Sequence, residues 1–330
     1  MKLAAALSLI LVMSLPSPAG QPPLVGQAFK PGDVPMEWKA SPERTALWIY
    51  KVIPQTSFSL AVLSNAMAVG SFKSTDVVRD DKSLIRFQDR KQQETRHLEI
   101  KPAVGSIEYY DSTGTSDMTD PLVGVPSAIE AERLGLDLLF RLGIDRSQFA
   151  PGPRESGEMK RSKISATKGE HDTEVMARHI VFVRQADGIP FMGNGLSGGL
   201  WIEYGNKAKI TQFQLCWGNL VPHELRSVPS SAKMMQFLKD RRAVYAIETK
   251  PLAAKKFTVT AFTPYYLGQF SQEPQELIYP IAKLGIEADT GERKVKFDVF
   301  CPIVDGSATD AAQHARTNSA ALPRVNQPVH

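Results

Sequence analysis

Short apolar runs, each closed by a turn signal, set the rhythm of this chain. Residues 178–217, RHIVFVRQADGIPFMGNGLSGGLWIEYGNKAKITQFQLCW, hold several runs of strand length. Asp187-Gly188, the glycine-rich 193–199 and Gly205-Asn206 separate them. Asp-Gly and Gly-Asn between such runs predict hairpins, because small and Asx residues accept positive φ cheaply. The same reading predicts strands over 45–52, 83–88, 96–101 and 106–110, and again over 257–262, 276–288 and 293–301. The last two are joined by a turn at Asp289-Thr290-Gly291. Residues 111–120 and the polar connection 145–173 read as loops.

Helical spacing appears in three places. Residues 57–68 follow Pro54 and predict a short helix. Val125-Pro126-Ser127 precedes the clearest helix, over 128–142, in which Ser127 and Glu130 have capping-box spacing. Ala131, Leu134, Leu138 and Leu142 form its apolar stripe and Gly143 its stop. A second Val-Pro-Ser at 228–230 starts a stretch running to about Arg242, with Met234, Phe237, Leu238 and Arg241 in helical spacing. Helix followed by strands thus occurs twice after the same tripeptide. That pattern predicts an α+β fold of tandem repeats, each a helix packed on an antiparallel β-sheet. The organisation it implies is a leader over 1–19, an extended arm over 20–40, a weaker α+β unit over 41–120, clear units over 121–225 and 226–303, and a disordered tail over 304–330.

Composition adds compartment and excludes some partners. With 42% hydrophobic and 22% charged residues the chain is that of a folded protein. Its 39 basic and 35 acidic residues leave a net charge of only +4, without the concentrated basic face that nucleic acid requires. Lys2, the apolar run 3–15 and Pro16-Ser17-Pro18-Ala19 have the layout of a secretory signal peptide cleaved after Ala19. No later segment approaches the ~20 apolar residues of a membrane span. The expectation is a secreted or extracytoplasmic protein. Export permits a disulfide between Cys216 and Cys301, each near a strand end. Alternation puts Cys301 on the apolar side of its strand and Cys216 opposite Phe213, Leu215 and Trp217, so bridged and free states both stay open.

A family likeness rests on the 125–143 helix, on Phe182-Val183-Arg184 with Asp187-Gly188-Ile189-Pro190, and on Trp201-Ile202-Glu203-Tyr204-Gly205-Asn206 with Lys209-Ile210. This order resembles the repeats of PepSY-type domains, in particular the extracytoplasmic domains of the YycI and YycH two-component regulatory proteins. The resemblance implies a non-catalytic module that binds, and in some relatives inhibits, a protein or peptide partner. It supplies no catalytic set to transfer. A cleavable leader departs from the uncleaved anchor of the YycI type.

Two catalytic strings overlap in the glycine-rich segment. Gly193 to Gly198 satisfies GxGxxG, and Gly195-Leu196-Ser197-Gly198-Gly199 satisfies GxSxG. Each motif works only with a helix directly after it, to carry a pyrophosphate or to raise a nucleophile on a tight turn. Here 200–204 alternates as a strand. Ser197, with Asp289 or Asp298 and His314, is therefore the centre of an alternative reading, a secreted serine hydrolase, and a structural envelope protein is a third reading. Glu170-His171-Asp172 with Glu174, His179 and His223-Glu224 lack the spacing of a metal site, and no cofactor is expected. Candidate binding residues are Arg184, Trp201, Tyr204 and Trp217. Tyr265, Tyr266 and Tyr279 belong with sheet packing or a groove. Arg184, alone in an apolar strand, is expected to pair with Glu203 across the sheet.

Overall fold

Each of the three helices found among the described residues opens on a serine. The helices are α1 (Leu60–Val69), α2 (Ala128–Arg141) and α3 (Ser231–Lys239). The Oγ atoms of Ser59, Ser127 and Ser230 accept from the N–H groups of Val62, Glu130 and Lys233 at 3.3, 3.2 and 3.3 Å. Each bond satisfies one of the amides that a first turn leaves without a partner. The computed structural model describes residues 26–81, 83–89, 96–112, 123–151, 155–164, 171–192, 199–247, 253–268 and 276–304. The expected leader over 1–19, all but the first residue of the expected tail over 304–330, Ser197 with the rest of 193–198, and nearly all of the expected 111–120 loop lie outside them.

The described chain falls into two units, both discontinuous in sequence. One comprises Tyr50–His223 with Tyr266–Ile278, and the other draws on Met1–Ile49, Glu224–Tyr265 and Tyr279–His330. The fold is α+β with antiparallel sheets.

In the first unit an eight-stranded antiparallel sheet runs in the order Val77–Asp80, Ile85–Gln88, Arg96–Lys101, Ser106–Asp111, Ile210–Cys216, Gly199–Tyr204, His171–Val183 and Glu155–Ile164. Strands from both sides of residue 120 complete this one sheet. Alternation buries Leu98, Ile107, Phe182, Leu200, Ile202, Phe213 and Leu215 on one face. Onto that face α2 lays Ala131, Gly135, Leu138 and Leu139. At Gly135 the helix comes close to the sheet, since a Cβ there would stand 2.4 Å from Phe182 Cε2.

The sequence reading misses Met36–Trp38, Val77–Asp80, Asn219–Ser227 and Val244–Tyr245, and, within the polar connection 145–173, Glu155–Ile164. Glu155–Ile164 ends its sheet and its sequence ESGEMKRSKI has no apolar alternation to reveal it. At the Asp187-Gly188 turn both residues have positive φ, 51° and 72°, as a two-residue hairpin requires. At the second turn the positive φ falls instead on Lys207 and Ala208, while Gly205 has φ −99°. The cause is a clamp: Lys207 N–H and Ala208 N–H donate to Val123 O and Gly124 O, and Asn206 Oδ1 accepts from Val123 N–H at 2.7 Å. The turn thereby fixes the segment that leads into α2.

In the second unit the strands Val244–Tyr245, Lys294–Pro302, Pro280–Asp289 and Lys256–Leu267 (through Tyr265) lie side by side. Met36–Trp38 runs parallel to residues 257–259. The arm reaching that strand is packed, for Phe29 is fully buried among Tyr245, Phe257 and Phe297. Helix α3 buries Met234, Phe237 and Leu238 and lies against Met36–Trp38 and Lys294–Pro302.

Candidate functional site

Of the four candidate binding residues, the structure brings two together. Arg184 follows the strand His171–Val183 and is 8% exposed, with its guanidinium carbon 5.1 Å from the Trp217 ring centroid and 5.5 Å from that of Phe191. Its backbone is held from both sides. Arg184 O accepts from Phe191 N–H at 2.8 Å, and the residue forms an isolated bridge with Phe149. A short 3₁₀ turn, Arg146–Gln148, completes the frame: Gln148 Oε1 accepts from Trp217 Nε1 at 2.7 Å, and Ser147 O accepts from Gln185 Nε2 at 2.8 Å.

The expected Arg184–Glu203 pair does not form. Register explains this: Gly199 lies opposite Val183 and Glu203 opposite His179, so Arg184 stands just past the paired residues and far along the strand from Glu203. The Glu203 carboxylate is buried and accepts from Thr211 Oγ1 at 2.7 Å instead. Arg184 has no carboxylate partner among the described residues. Burial lowers its pKa to about 10, with the nearby Cys216 sulfur acting the other way.

Trp201 and Tyr204 go elsewhere. Trp201 stacks on His179 at 6.1 Å on the sheet face away from α2, while Tyr204 is buried on the α2 side. Burial raises the Tyr204 phenol, and its hydroxyl has no hydrogen-bond partner among the described residues. Tyr266 and Phe191 pack at 5.4 Å, and Tyr266 and Tyr50 at 5.2 Å, so they extend the aromatic layer beside Arg184. Both cysteines are free thiols: Cys301 is fully buried and Cys216 half-buried. No three His, Cys, Asp or Glu side chains converge among the described residues.

The second unit contains a cleft that the sequence reading does not anticipate. It has a volume of about 370 Å³ and is lined by Trp38, Pro42, Arg44, Val228, Pro229 and Ser230 among others. Its walls come from two segments joined by Val228 N–H donating to Thr45 O at 2.8 Å. Trp38 Nε1 donates to Ala40 O at 2.7 Å, which fixes the indole at the rim. The cleft sits at the start of α3, where peptide dipoles favour negative charge. Only the second Val-Pro-Ser hints at it in the sequence, because the residues it needs are far apart along the chain.

Comparison with known proteins gives little to set beside this geometry. No family model and no curated protein matches the chain. A solved structure of an uncharacterized protein from Eubacterium rectale is similar at 14% identity and a TM-score of 0.43, covering 80% of this chain and 85% of its own. A likeness at that level carries no argument.

Proposed function

We propose that this chain is an exported, non-catalytic binding module for a protein or peptide partner, built from PepSY-like helix-and-sheet repeats. The observation that carries the binding reading is the cleft of about 370 Å³ at the start of α3. It has the size of a small-ligand or side-chain pocket, apolar walls in Trp38, Pro42, Val228 and Pro229, and a few polar groups in Arg44 and Ser230. The repeat is supported by the two Val-Pro-Ser starts, whose serines cap α2 and α3 in the same way, and by the antiparallel hairpins that follow each helix. Export is supported by the leader through Ala19. No helix among the described residues is long and apolar enough to cross a membrane.

The test is capture from an exported fraction by the immobilised mature protein, compared with Trp38→Ala. Recovery of a stoichiometric protein or peptide that the variant retains at least tenfold less is the expected result. Recovery of nothing stoichiometric would overturn the reading and favour a structural envelope role. Fluorophosphonate labelling that vanishes in Ser197→Ala would overturn it in favour of a serine hydrolase.

A further inference from the structure

We propose that Arg184, seated on Trp217 and Phe191, is a recognition site for a single carboxylate group of a ligand. The site lies in the first unit and does not depend on the cleft beside α3.

The argument starts from what the guanidinium lacks. The residue is only 8% exposed, its guanidinium nitrogens keep some access to solvent, and it meets neither a carboxylate nor a hydrogen-bond acceptor among the described residues. The rings engage the cation through their π faces, which leaves the in-plane N–H groups to solvent rather than to a protein acceptor. Of the acids on adjoining segments, Glu203 accepts from Thr211 and Asp145 from Ser147. Depression of the Arg184 pKa by burial agrees with a charge that has lost part of its water.

The site is also built rather than incidental. Phe149, Phe191, Gln148 and Ser147 fix the Arg184 backbone, the indole and the hairpin stem by separate contacts, so the guanidinium is held before any ligand arrives. A rigid planar fork matches the two oxygens of a carboxylate. One positive charge between aromatic rings suits a planar monoanion. A tetrahedral phosphate dianion would need a second cation to leave water.

The experiment uses the mature protein labelled with ¹⁵N-arginine and follows the Arg184 Nε–Hε resonance, assigned by its loss in Arg184→Met. N-acetylglycine, one peptide unit with a free carboxylate, is expected to shift it saturably, whereas N-acetylglycinamide leaves it in place. Inorganic phosphate at equal concentration shifts it at least tenfold less. Arg184→Lys keeps the charge but loses the fork and weakens the N-acetylglycine response at least tenfold. Trp38→Ala leaves the response unchanged, which separates this site from the cleft. An immobile resonance, an equal effect of the amide, or a stronger effect of phosphate each overturns the proposal. The comparison of acid with amide uses the unaltered protein, so it stands even where a variant fails to fold.

Discussion

Gly135→Ala measures how closely α2 is seated on its sheet. In an exposed helix the change would stabilise the protein by about 1 kcal/mol, because glycine is the poorer helix former by that amount. In α2 the new methyl would stand 2.4 Å from Phe182 Cε2, 2.7 Å from Cζ and 3.3 Å from Ile202 Cδ1. Phe182 has little room to yield: it is fully buried and packs edge-on against Phe149 at 6.1 Å. Overpacking of a filled core costs about 1–3 kcal/mol. Taking the upper part of that range and subtracting the helical gain leaves a net loss of about 1–2 kcal/mol. For a unit of this size that lowers Tm by about 3–6 °C. Thermal and urea unfolding of both proteins check the sign. Phe182→Leu, combined with Gly135→Ala, should cost less than the sum of the two single changes by about 1 kcal/mol, since the leucine removes the ring edge that the methyl strikes. An unchanged or higher Tm in Gly135→Ala, or strict additivity in the pair, would refute the claim that the helix rests on that ring.

Three further outcomes follow from local chemistry. The Ser147 hydroxyl and N–H hold the Asp145 pKa below its ordinary value, so Asp145 favours folding above about pH 4 and loses that contribution as pH falls through its folded value. The Tm gap between the unaltered protein and Asp145→Ala should accordingly be constant at neutral pH and close under acid; a gap that persists to pH 2 contradicts the assignment. Lys207, at φ 58°, occupies a left-handed position that glycine adopts without strain. Lys207→Gly should raise stability by about 0.5 kcal/mol net in urea titrations, because the clamp to Val123 O uses only its backbone, and a loss of stability counts against this. Finally, burial pushes the Cys301 thiol up to about 12, whereas Cys216 stays half-exposed. A chromogenic disulfide reagent should therefore find one thiol in the native protein, absent in Cys216→Ser, and two after denaturation. Two blocked thiols before reduction would establish a bridge instead.

How much of this was legible in the chain depends on how far each feature reaches. The serine caps at 59, 127 and 230 involve bonds spanning three residues, so their helices can be read locally. Strands with one wet and one dry face, such as Ile210–Cys216, advertise themselves by alternation. Glu155–Ile164 does not, because an end strand of polar sequence has no dry side to show. The Arg184–Glu203 expectation failed because the register sets Glu203 opposite His179, and no local pattern encodes register. The cleft was hidden for a similar reason. Trp38 and Ser230 are each unremarkable in sequence, and only the fold makes them neighbours.

The same distinction settles which part of residues 178–217 speaks to function. The GxGxxG and GxSxG strings occupy five or six residues apiece and demand a helix next, whereas Gly199–Tyr204 is a strand. Arg184 matches no motif, yet it is the residue whose placement has an energetic consequence. Removing an ion from water costs several kcal/mol even after relaxation. Two cation–π contacts return about 0.5–2 kcal/mol each. The remainder is made up only in part, by water at the guanidinium nitrogens, because no carboxylate among the described residues meets the charge. A carboxylate arriving in the plane of the guanidinium supplies the missing counter-charge and acceptors together. The deficit that weakens the free fold is then available as binding energy, and Arg184→Met, which removes the deficit, should be as stable as the unaltered protein or more so while losing the ligand.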